Sequence, residues 1–481
     1  MSFFKRFLVG ICLVITTGLS AKENMNVLFI AVDDLNDWIG PMGGNPQVKT
    51  PHLDNFAGKS IIMSKAYCSA TVCGPSRSSL LTGRHCHNTG VYGNSNNLKK
   101  AAKAKDLETL PEYFGNRGYH TLTTGKIFHK HMTSEGLDEG HWAFHEVGKT
   151  KGGAGGMLWK KAATHPDHKY GGSAMQWGAT KAPLEETKDY MNAKWAAEQL
   201  ERDFDGKPFF MALGISRPHL PFFVPQKYFD MYPLDKVKPA PVKLDDYDDI
   251  VDANGNALFK GPDATWLAVD KSNAHTELNR AYMASVTYAD DCLGVVFDAL
   301  EKSKYADNTI VILWGDHGWY LGEKLKYRKT GLWEESARVP FMVRVPGINE
   351  GVKSDGVINL VDMYPTLIEL CGLPSNPNND GRSFAKLIAN PEMTWNEPTL
   401  STMGYMNHAL TDGRYRYISY KKGVEELYDH NSDPLEHNNL ANNPEYAQII
   451  AKFKKYLPTH NEPESPRNTL EKKKSKTSKK I

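Results

Sequence analysis

A continuous apolar run at residues 26–32 (Asn-Val-Leu-Phe-Ile-Ala-Val) most constrains how this chain can fold. Runs of this kind are typical of strands that are buried on both faces, as in a parallel sheet covered by helices. Similar runs recur at residues 119–123, 208–213 and 309–314. The chain is therefore expected to contain a largely parallel sheet with helices on both faces.

Two segments between these runs have helical periodicity, residues 107–117 and residues 276–300, the second with apolar side chains along one face. Strands that alternate with helices predict a doubly wound α/β domain. The 481 residues leave room for a second, smaller domain. We place a small α+β domain at residues 381–462, where short runs such as 415–420 alternate with turns and a helix at 444–456 ends the fold.

Composition excludes several classes of protein. A hydrophobic fraction of 40% suffices for a full core, and a mean hydropathy of −0.50 excludes a multi-span membrane protein. The net charge of +2 argues against a nucleic-acid-binding protein, and six cysteines are too few for a disulfide scaffold. Residues 131–200 are rich in Gly, His, Trp and Lys without clear periodicity, which predicts long loops.

The two ends of the chain differ from its body. Residues 1–21 have the pattern of a secretory signal peptide, with basic residues, an apolar run at 7–14 and small residues up to Ala21. The run is short for a membrane span of roughly 20 residues. We therefore expect cleavage after Ala21, a periplasmic or secreted protein, and no integral membrane association. Residues 463–481 are rich in Lys and Ser and predict a disordered basic tail.

Charged side chains follow each of the four apolar runs. Ligands of open α/β sheets bind outside the carboxyl ends of the strands, so these side chains are expected to meet at one edge. A single such residue is usually a cap or a structural residue, but four sets together indicate a functional site. The residues are Asp33 and Asp34, Lys126 and His129, Arg217 and His219, and Asp316 and His317.

Four of these residues, Asp33, Asp34, Asp316 and His317, have the composition of a metal site. Three carboxylates with few sulfur ligands suit a hard cation such as Ca²⁺ or Mg²⁺. The histidine, which is a softer ligand, leaves a transition metal open. An ion at this position would polarise an anionic ester oxygen and hold a nucleophile near it.

Residues 73–84 (Cys-Gly-Pro-Ser-Arg-Ser-Ser-Leu-Leu-Thr-Gly-Arg) predict a helix with a reactive first turn. Pro75 lies where the first helical turn begins, and Gly83 can end the helix. Cys73 then lies at the helix N-terminus, where backbone N–H groups favour anions, and Arg77 is one turn further on the same face. A buried structural thiol, half of a disulfide and a thiolate nucleophile all agree with these residues.

This segment resembles the signature of the type I, formylglycine-dependent sulfatases, Cys-x-Pro-Ser-Arg followed by Leu-Thr-Gly-Arg. The pattern is similar to that of the iduronate-2-sulfatase-like and bacterial polysaccharide sulfatase branch. The resemblance implies an alkaline-phosphatase-like fold, in which a doubly wound mixed sheet flanked by helices forms a catalytic domain at 22–380. Further blocks that resemble the family are residues 26–34, 315–318, 321–323, 334–340, 361–367 and 426–434.

The resemblance also implies a covalent mechanism. Cys73 would be oxidised to formylglycine by a formylglycine-generating enzyme or an anaerobic sulfatase-maturating enzyme. One hydroxyl of the hydrated aldehyde would then attack sulfur, which splits hydrolysis into two easier steps. One Ca²⁺ would be bound by Asp33, Asp34, Cys73, Asp316 and His317.

The other site residues receive roles from the same resemblance. Arg77 would stabilise the hydrated formylglycine, while Lys126 and Lys329 hold sulfate oxygens. His129 would take the proton that releases sulfate, and His219 would lie at the leaving-group oxygen. Lys329 is assigned by its spacing from residues 333–335, and three neighbouring cations are alternatives: Lys324, Lys326 and Arg328.

The predicted function is hydrolysis of sulfate esters in a marine polysaccharide or a glycosaminoglycan oligosaccharide. A phosphate mono- or diesterase of the same superfamily is the alternative, because sulfate and phosphate esters share tetrahedral geometry. A catalytically inactive binding protein is disfavoured, because every expected catalytic position is filled. Six residues of the loop region are candidates for a carbohydrate-binding rim, or else ordinary loop residues: Trp159, Lys160, Lys161, His165, His168 and Trp177. Cys68 and Cys86 flank the nucleophile segment and either pair or remain free thiols.

Overall fold

The computed structural model describes residues 25–129, 141–163, 175–252, 254–348, 350–395 and 397–467. The predicted signal peptide and residues 468–481 of the predicted tail lie outside these ranges. The first residues of that tail, 463–467, are described and pack against the main body. Ser465 N donates to Gly90 O at 2.7 Å, and Asn97 N donates to Pro466 O at 3.1 Å.

Seventeen strands are formed in the described part of the chain. They are β1 (Asn26–Val32), β2 (Ile61–Tyr67), β3 (His120–Thr124), β4 (Glu146–Val147), β5 (Met157–Ala163), β6 (Met175–Thr180), β7 (Phe209–Ile215), β8 (Phe222–Pro225), β9 (Thr309–Gly315), β10 (Tyr320–Leu321), β11 (Tyr327–Arg328), β12 (Phe341–Arg344), β13 (Val352–Asn359), β14 (Thr399–Thr402), β15 (His408–Thr411), β16 (Tyr415–Ser419) and β17 (Glu425–Asp429).

Twelve α-helices accompany these strands in the described ranges. They are α1 (Pro51–Ala57), α2 (Cys73–Thr82), α3 (Cys86–Thr89), α4 (Leu110–Gly115), α5 (Lys188–Gln199), α6 (Gln226–Asp230), α7 (Ala264–Lys271), α8 (His275–Lys302), α9 (Glu334–Ala337), α10 (Met363–Leu370), α11 (Ala385–Ala389) and α12 (Ala447–Lys454). None of them is both long and apolar enough to cross a membrane.

The site is built on an eight-stranded sheet of order β13-β2-β12-β9-β1-β7-β3-β4. Strand β1 lies inside this sheet and pairs in parallel with β7 and β9. All of its residues are buried, which explains its continuous apolar run. Strand β12 is antiparallel to both β9 and β2, so the sheet is mixed. The structure thus confirms the doubly wound mixed sheet flanked by helices.

The four apolar runs form strands, as predicted, but the prediction of long loops at residues 131–200 is wrong. Strand β1 has the predicted bounds, and the predicted helix at 276–300 corresponds to α8. Residues 131–200, however, contain strands β4, β5 and β6 and the twelve-residue helix α5. Helix α5 buries polar and small side chains, so it shows little apolar periodicity: Asp189, Asn192, Ala193, Ala196 and Gln199.

A smaller antiparallel sheet of order β14-β15-β16-β17 follows the main sheet, and α12 packs against it through Ile450 and Phe453. The helix predicted at 444–456 corresponds to α12, which is shorter (Ala447–Lys454) and follows a 3₁₀ turn at Pro444–Tyr446. The domain boundary at 380/381 stays a prediction. Helix α11, beyond that boundary, still packs in the core of the main sheet.

The described cysteines are all buried and carry free thiols: Cys68, Cys73, Cys86, Cys292 and Cys371. The two that flank the nucleophile segment therefore remain unpaired in the structure.

Candidate active site

The ends of the two central strands bring three carboxylates and a histidine together. Asp33 and Asp34 follow β1, and Asp316 and His317 follow β9, which is its parallel neighbour. Asp34 has a φ of 62°, and its N–H donates to Asp316 Oδ1 at 3.0 Å. This left-handed conformation is uncommon for a residue other than glycine, and strained backbone is often found at functional sites. All four side chains are buried.

Helix α2 presents the cysteine at its first position. It begins at Cys73 and ends before Gly83, whose φ of 69° forms the left-handed cap that the sequence predicted. The whole helix is buried. Asn94 Oδ1 accepts the N–H of Gly74 at 2.7 Å, and Ser76 Oγ donates to the carbonyl of Asp316 at 2.5 Å. The first bond fixes the first turn of the helix to the segment around Asn94, and the second fixes it to the residue that follows β9.

The thiol of Cys73 lies in a strongly polar environment. Its Sγ is 3.0 Å from Lys329 Nζ, 3.2 Å from His317 Nε2 and 3.8 Å from Asp34 Oδ1. Burial raises the pKa of this thiol, but Lys126 and Lys329 outweigh burial and hold the pKa well below its ordinary value. The surroundings of residue 73 therefore favour an anionic nucleophile or an anionic ligand.

Arg77 links the carboxylates rather than facing solvent. Its guanidinium donates to Asp316 Oδ2 at 2.9 Å and to Asp33 Oδ1 at 3.0 Å. It also donates to the carbonyls of Lys126 at 2.7 Å and Ile127 at 2.9 Å. The side chain is 0% exposed, so these contacts hold it in one position. Arg77 thus orients two of the predicted metal ligands and neutralises part of their charge.

Two lysines pair with the carboxylates that follow β1. Lys126 Nζ lies 2.6 Å from Asp33 Oδ2, and Lys329 Nζ lies 2.6 Å from Asp34 Oδ1. Burial lowers the pKa of each lysine, but the surrounding anionic groups together outweigh burial and raise that pKa, led by Asp33 at Lys126 and by Asp34 at Lys329. Both lysines therefore remain protonated cations, as the binding of sulfate oxygens requires.

The structure also decides which cation of the 324–329 segment reaches the site. Lys324 Nζ lies 3.0 Å from Asp246, and Lys326 Nζ lies 4.0 Å from Asp263. Arg328 Nε lies 3.4 Å from the sulfur of Met175. Of these four candidates, Lys329 is the residue whose side chain contacts Cys73.

His219 lies at the mouth of the site. Its Nε2 is 3.7 Å from Asp34 Oδ2, and its Nδ1 is 2.6 Å from the carbonyl of Leu220. Burial lowers the pKa of His219, but Asp34 and Asp33 outweigh burial and raise it. The side chain is 37% exposed, so it can meet a substrate that arrives from solvent.

His129 is half-buried. It is the last residue that the structure describes before the gap at 130–140. It follows Ile127 and Phe128, which are buried in the core of the main sheet. Its predicted role in releasing sulfate stays a prediction.

The residues fit a divalent cation. The ligand atoms of Asp34, Cys73, Asp316 and His317 all lie within 4.8 Å of one another. Asp34 Oδ2 is buried and accepts no hydrogen bond from any residue that the structure describes. His317 Nδ1 lies 2.9 Å from the carbonyl of Gly318, which turns Nε2 toward the carboxylates. An orphaned carboxylate oxygen beside a second carboxylate, a thiol and an imidazole is a feature that a bound cation would satisfy.

Two residues that support the site were missed by sequence reasoning. The hydroxyl of Tyr282, on α8, donates to the carbonyl of Asp34 at 2.8 Å and accepts the N–H of Asn36 at 2.8 Å. Asp189, on α5, accepts the N–H groups of Ser216 and Arg217, each at 2.9 Å, and so holds the start of the His219 loop. Tyr282 lies on the apolar face of its helix, where a tyrosine is indistinguishable from a core residue.

A buried cysteine in contact with a lysine, beside clustered carboxylates at the edge of a doubly wound sheet, is typical of a hydrolase for anionic esters. The family model for sulfatases matches residues 25–373, and a model for the C-terminal part of N-sulphoglucosamine sulphohydrolase matches residues 315–462. The chain belongs to the sulfatase family, and it is a sulfuric ester hydrolase.

Curated relatives match over nearly their whole length. A sulfatase of Formosa agariphila is 37% identical over 94% of this chain and 91% of the relative. Iduronate 2-sulfatase of Mus musculus is 26% identical over 93% of this chain and 97% of the relative. A solved structure in complex with D-glucosamine-2-N,6-O-disulfate has a TM-score of 0.68 at 22% identity, and covers 90% of this chain and 98% of its own. This structural likeness supports the alkaline-phosphatase-like fold.

Proposed function

We propose that this protein removes sulfate from a sulfated carbohydrate, using a formylglycine made from Cys73 and one bound Ca²⁺. The observation that carries the proposal is the position of Cys73 Sγ, 3.0 Å from Lys329 Nζ and 3.2 Å from His317 Nε2. A nucleophile held at these distances from a cation and a predicted metal ligand is placed to attack an anionic ester.

The chain's own residues bind and orient the sulfate group. The side chains of Lys126 and Lys329 are 18% and 13% exposed, whereas Cys73 is buried, so part of each lysine remains open to solvent. Sulfate oxygens entering from solvent would meet both cations, which offset the charge that develops on the transferring group. His219 lies at the same mouth and would donate a proton or a hydrogen bond to the leaving oxygen.

The two groups that complete the site are expected at fixed places. Asp33, Asp34, Asp316, His317 and residue 73 would hold Ca²⁺. The ion would supply Lewis-acid polarisation of a sulfate oxygen, and formylglycine would supply a hydrated aldehyde as the nucleophile. Arg77 keeps two of the carboxylates in place for these groups, and His129 is the proposed acceptor of the proton when sulfate is released.

The burial of α2 has a consequence for maturation. Every residue of this helix is buried, including the signature residues at 73, 75 and 77. A modifying enzyme could not reach Cys73 in the folded protein, so conversion to formylglycine is expected before folding. The required partner is a formylglycine-generating or anaerobic sulfatase-maturating enzyme.

The substrate class is inferred from the relatives. An ulvan-active sulfatase of Formosa agariphila is 28% identical over 90% of this chain, and iduronate 2-sulfatase is among the other relatives. These likenesses support an enzyme of polysaccharide degradation, and the predicted signal peptide supports a periplasmic or secreted location.

Activity on matched esters tests the proposal. Protein produced together with a maturating enzyme is assayed on an aryl sulfate, the corresponding aryl phosphate, and oligosaccharides of carrageenan, ulvan, fucoidan and glycosaminoglycans. We expect sulfate esters to be hydrolysed far faster than phosphate. Cys73→Ala should abolish this activity, whereas Cys86→Ala, which alters another buried thiol, should retain it. Faster hydrolysis of the phosphate ester would favour the phosphatase alternative and overturn the proposal.

A further inference from the structure

A cavity of about 220 Å³ lies between the sheet of order β5-β6-β8, helix α6 and the first turns of α8. Three of the six residues that the sequence suggested for a carbohydrate-binding rim line it: Trp159, Lys161 and Trp177. The other three do not contribute to its described walls. Lys160 lies over the ring of Phe223, and His165 and His168 lie outside the described residues.

The walls of the cavity are held in place by contacts among their own side chains. Trp159 Nε1 donates to Gln226 Oε1 at 2.6 Å, and Trp177 Nε1 donates to Glu277 Oε2 at 3.2 Å. Lys161 Nζ donates to the other oxygen of Glu277 at 2.6 Å. The aromatic walls are thus fixed before any ligand arrives, which lowers the entropic cost of binding.

The chemistry of the lining suits a sugar ring. The indole of Trp159 and the phenyl ring of Phe229 together provide an apolar surface. The two rings pack edge to face, with their centroids 4.8 Å apart. Lys161, Glu277 and Arg280 provide charged donors and acceptors around it. An aromatic wall with a few polar groups is typical of small-molecule sites. The two cations, Lys161 and Arg280, outnumber the one carboxylate, Glu277, which favours an anionic ligand.

The cavity is joined to the catalytic site along strand β6. Met175 and Trp177 lie on the same face of this strand, about 7 Å apart along it. The sulfur of Met175 lies 3.4 Å from Arg328 Nε, and Arg328 directly precedes Lys329. Trp177 is also paired with Phe222, which is three residues after His219. Strand β6 therefore connects the wall of the cavity to the segments that carry Lys329 and His219.

We propose that this cavity is a subsite for a second pyranose ring of the sulfated saccharide. The ring would pack against Trp159, while its hydroxyl and anionic substituents bind Lys161, Glu277 and Arg280. This inference rests on the proposed function, since it assigns the part of the substrate beyond the scissile sulfate ester.

The test compares two adjacent lysines on opposite faces of β5. Lys161→Ala alters the cavity, and Lys160→Ala is the matched control. For each variant, kcat/KM is measured with 4-nitrophenyl sulfate and with the sulfated oligosaccharide that the wild type cleaves fastest. In Lys161→Ala we expect the ratio of saccharide to aryl activity to fall about tenfold, chiefly through KM. In Lys160→Ala the ratio should equal that of the wild type.

Each other outcome overturns the inference. If the wild type cleaves saccharides and both variants keep its ratio, the subsite is wrong while the proposed function stands. An equal fall in both variants would indicate a general loss of surface charge and would also overturn the subsite. If the wild type hydrolyses the aryl sulfate but no saccharide, the carbohydrate function fails and the subsite fails with it.

Discussion

Replacement of Arg77 by Met should destabilise the protein in a way that added Ca²⁺ reverses. The guanidinium is 0% exposed and contacts Asp33 at 3.0 Å and Asp316 at 2.9 Å. Removing one partner from a buried ion pair costs about 3–5 kcal/mol, because the remaining charges stay buried. With an unfolding entropy of about 0.9 kcal/mol per kelvin for a fold of this length, the melting temperature should fall by roughly 3–6 °C.

Thermal melts of the variant with and without Ca²⁺ provide the assay. A cation bound among the same carboxylates would replace the missing positive charge, so Ca²⁺ should raise the melting temperature of Arg77→Met more than that of the wild type. Lys324→Met is the control, because Lys324 is also buried, at 1% exposure, and its side chain pairs with a single carboxylate, Asp246, at 3.0 Å. It should melt lower without recovery in Ca²⁺. Equal recovery of both variants, or a melt like that of the wild type for Arg77→Met, would refute the reasoning.

Two further predictions concern residues outside the predicted ligand set. Tyr282→Phe removes the hydroxyl that bonds to the carbonyl of Asp34 at 2.8 Å, and should weaken Ca²⁺ binding about tenfold by calorimetry with little change in melting temperature. An unchanged affinity would contradict a positioning role. Burial, which outweighs the hydrogen bond that His408 donates to Asn461, lowers the pKa of His408 to about 4, below its ordinary value of 6.5. Stability from this group is therefore complete above about pH 6.5 and is lost as the pH falls toward 4. Between about pH 6.5 and pH 4, the melting temperature should fall less in His408→Gln than in the wild type. If the two proteins lose the same amount, His408 does not cause the loss of stability in acid.

Residues that follow buried strands were predictable from the sequence. The run at 26–32 has the same bounds as β1, and the charged residues after it lie where parallel strands end. This inference works because an apolar run without alternation has few alternatives to a strand buried on both faces. The first turn of α2 was predictable for a similar reason, since Pro and Gly restrict the backbone at both of its ends.

Residues that act through tertiary contacts were not predictable in this way. Lys329 could not be distinguished from the neighbouring cations by spacing, because the backbone of residues 322–330 includes several positive φ angles that redirect the side chains. Asp189 lies on a helix whose buried face is polar, so its contact with the His219 loop leaves no periodic signal. Both assignments depend on which segments pack together, which local pattern does not determine.

The mass of the peptide that contains residue 73 tests the central claim most directly. Conversion of Cys73 to formylglycine lowers this mass by about 18 Da and creates the proposed nucleophile. Protein made with graded amounts of a maturating enzyme should show sulfatase activity in proportion to the converted fraction, with almost none in unconverted protein. Full activity in protein whose Cys73 is unmodified would contradict the account.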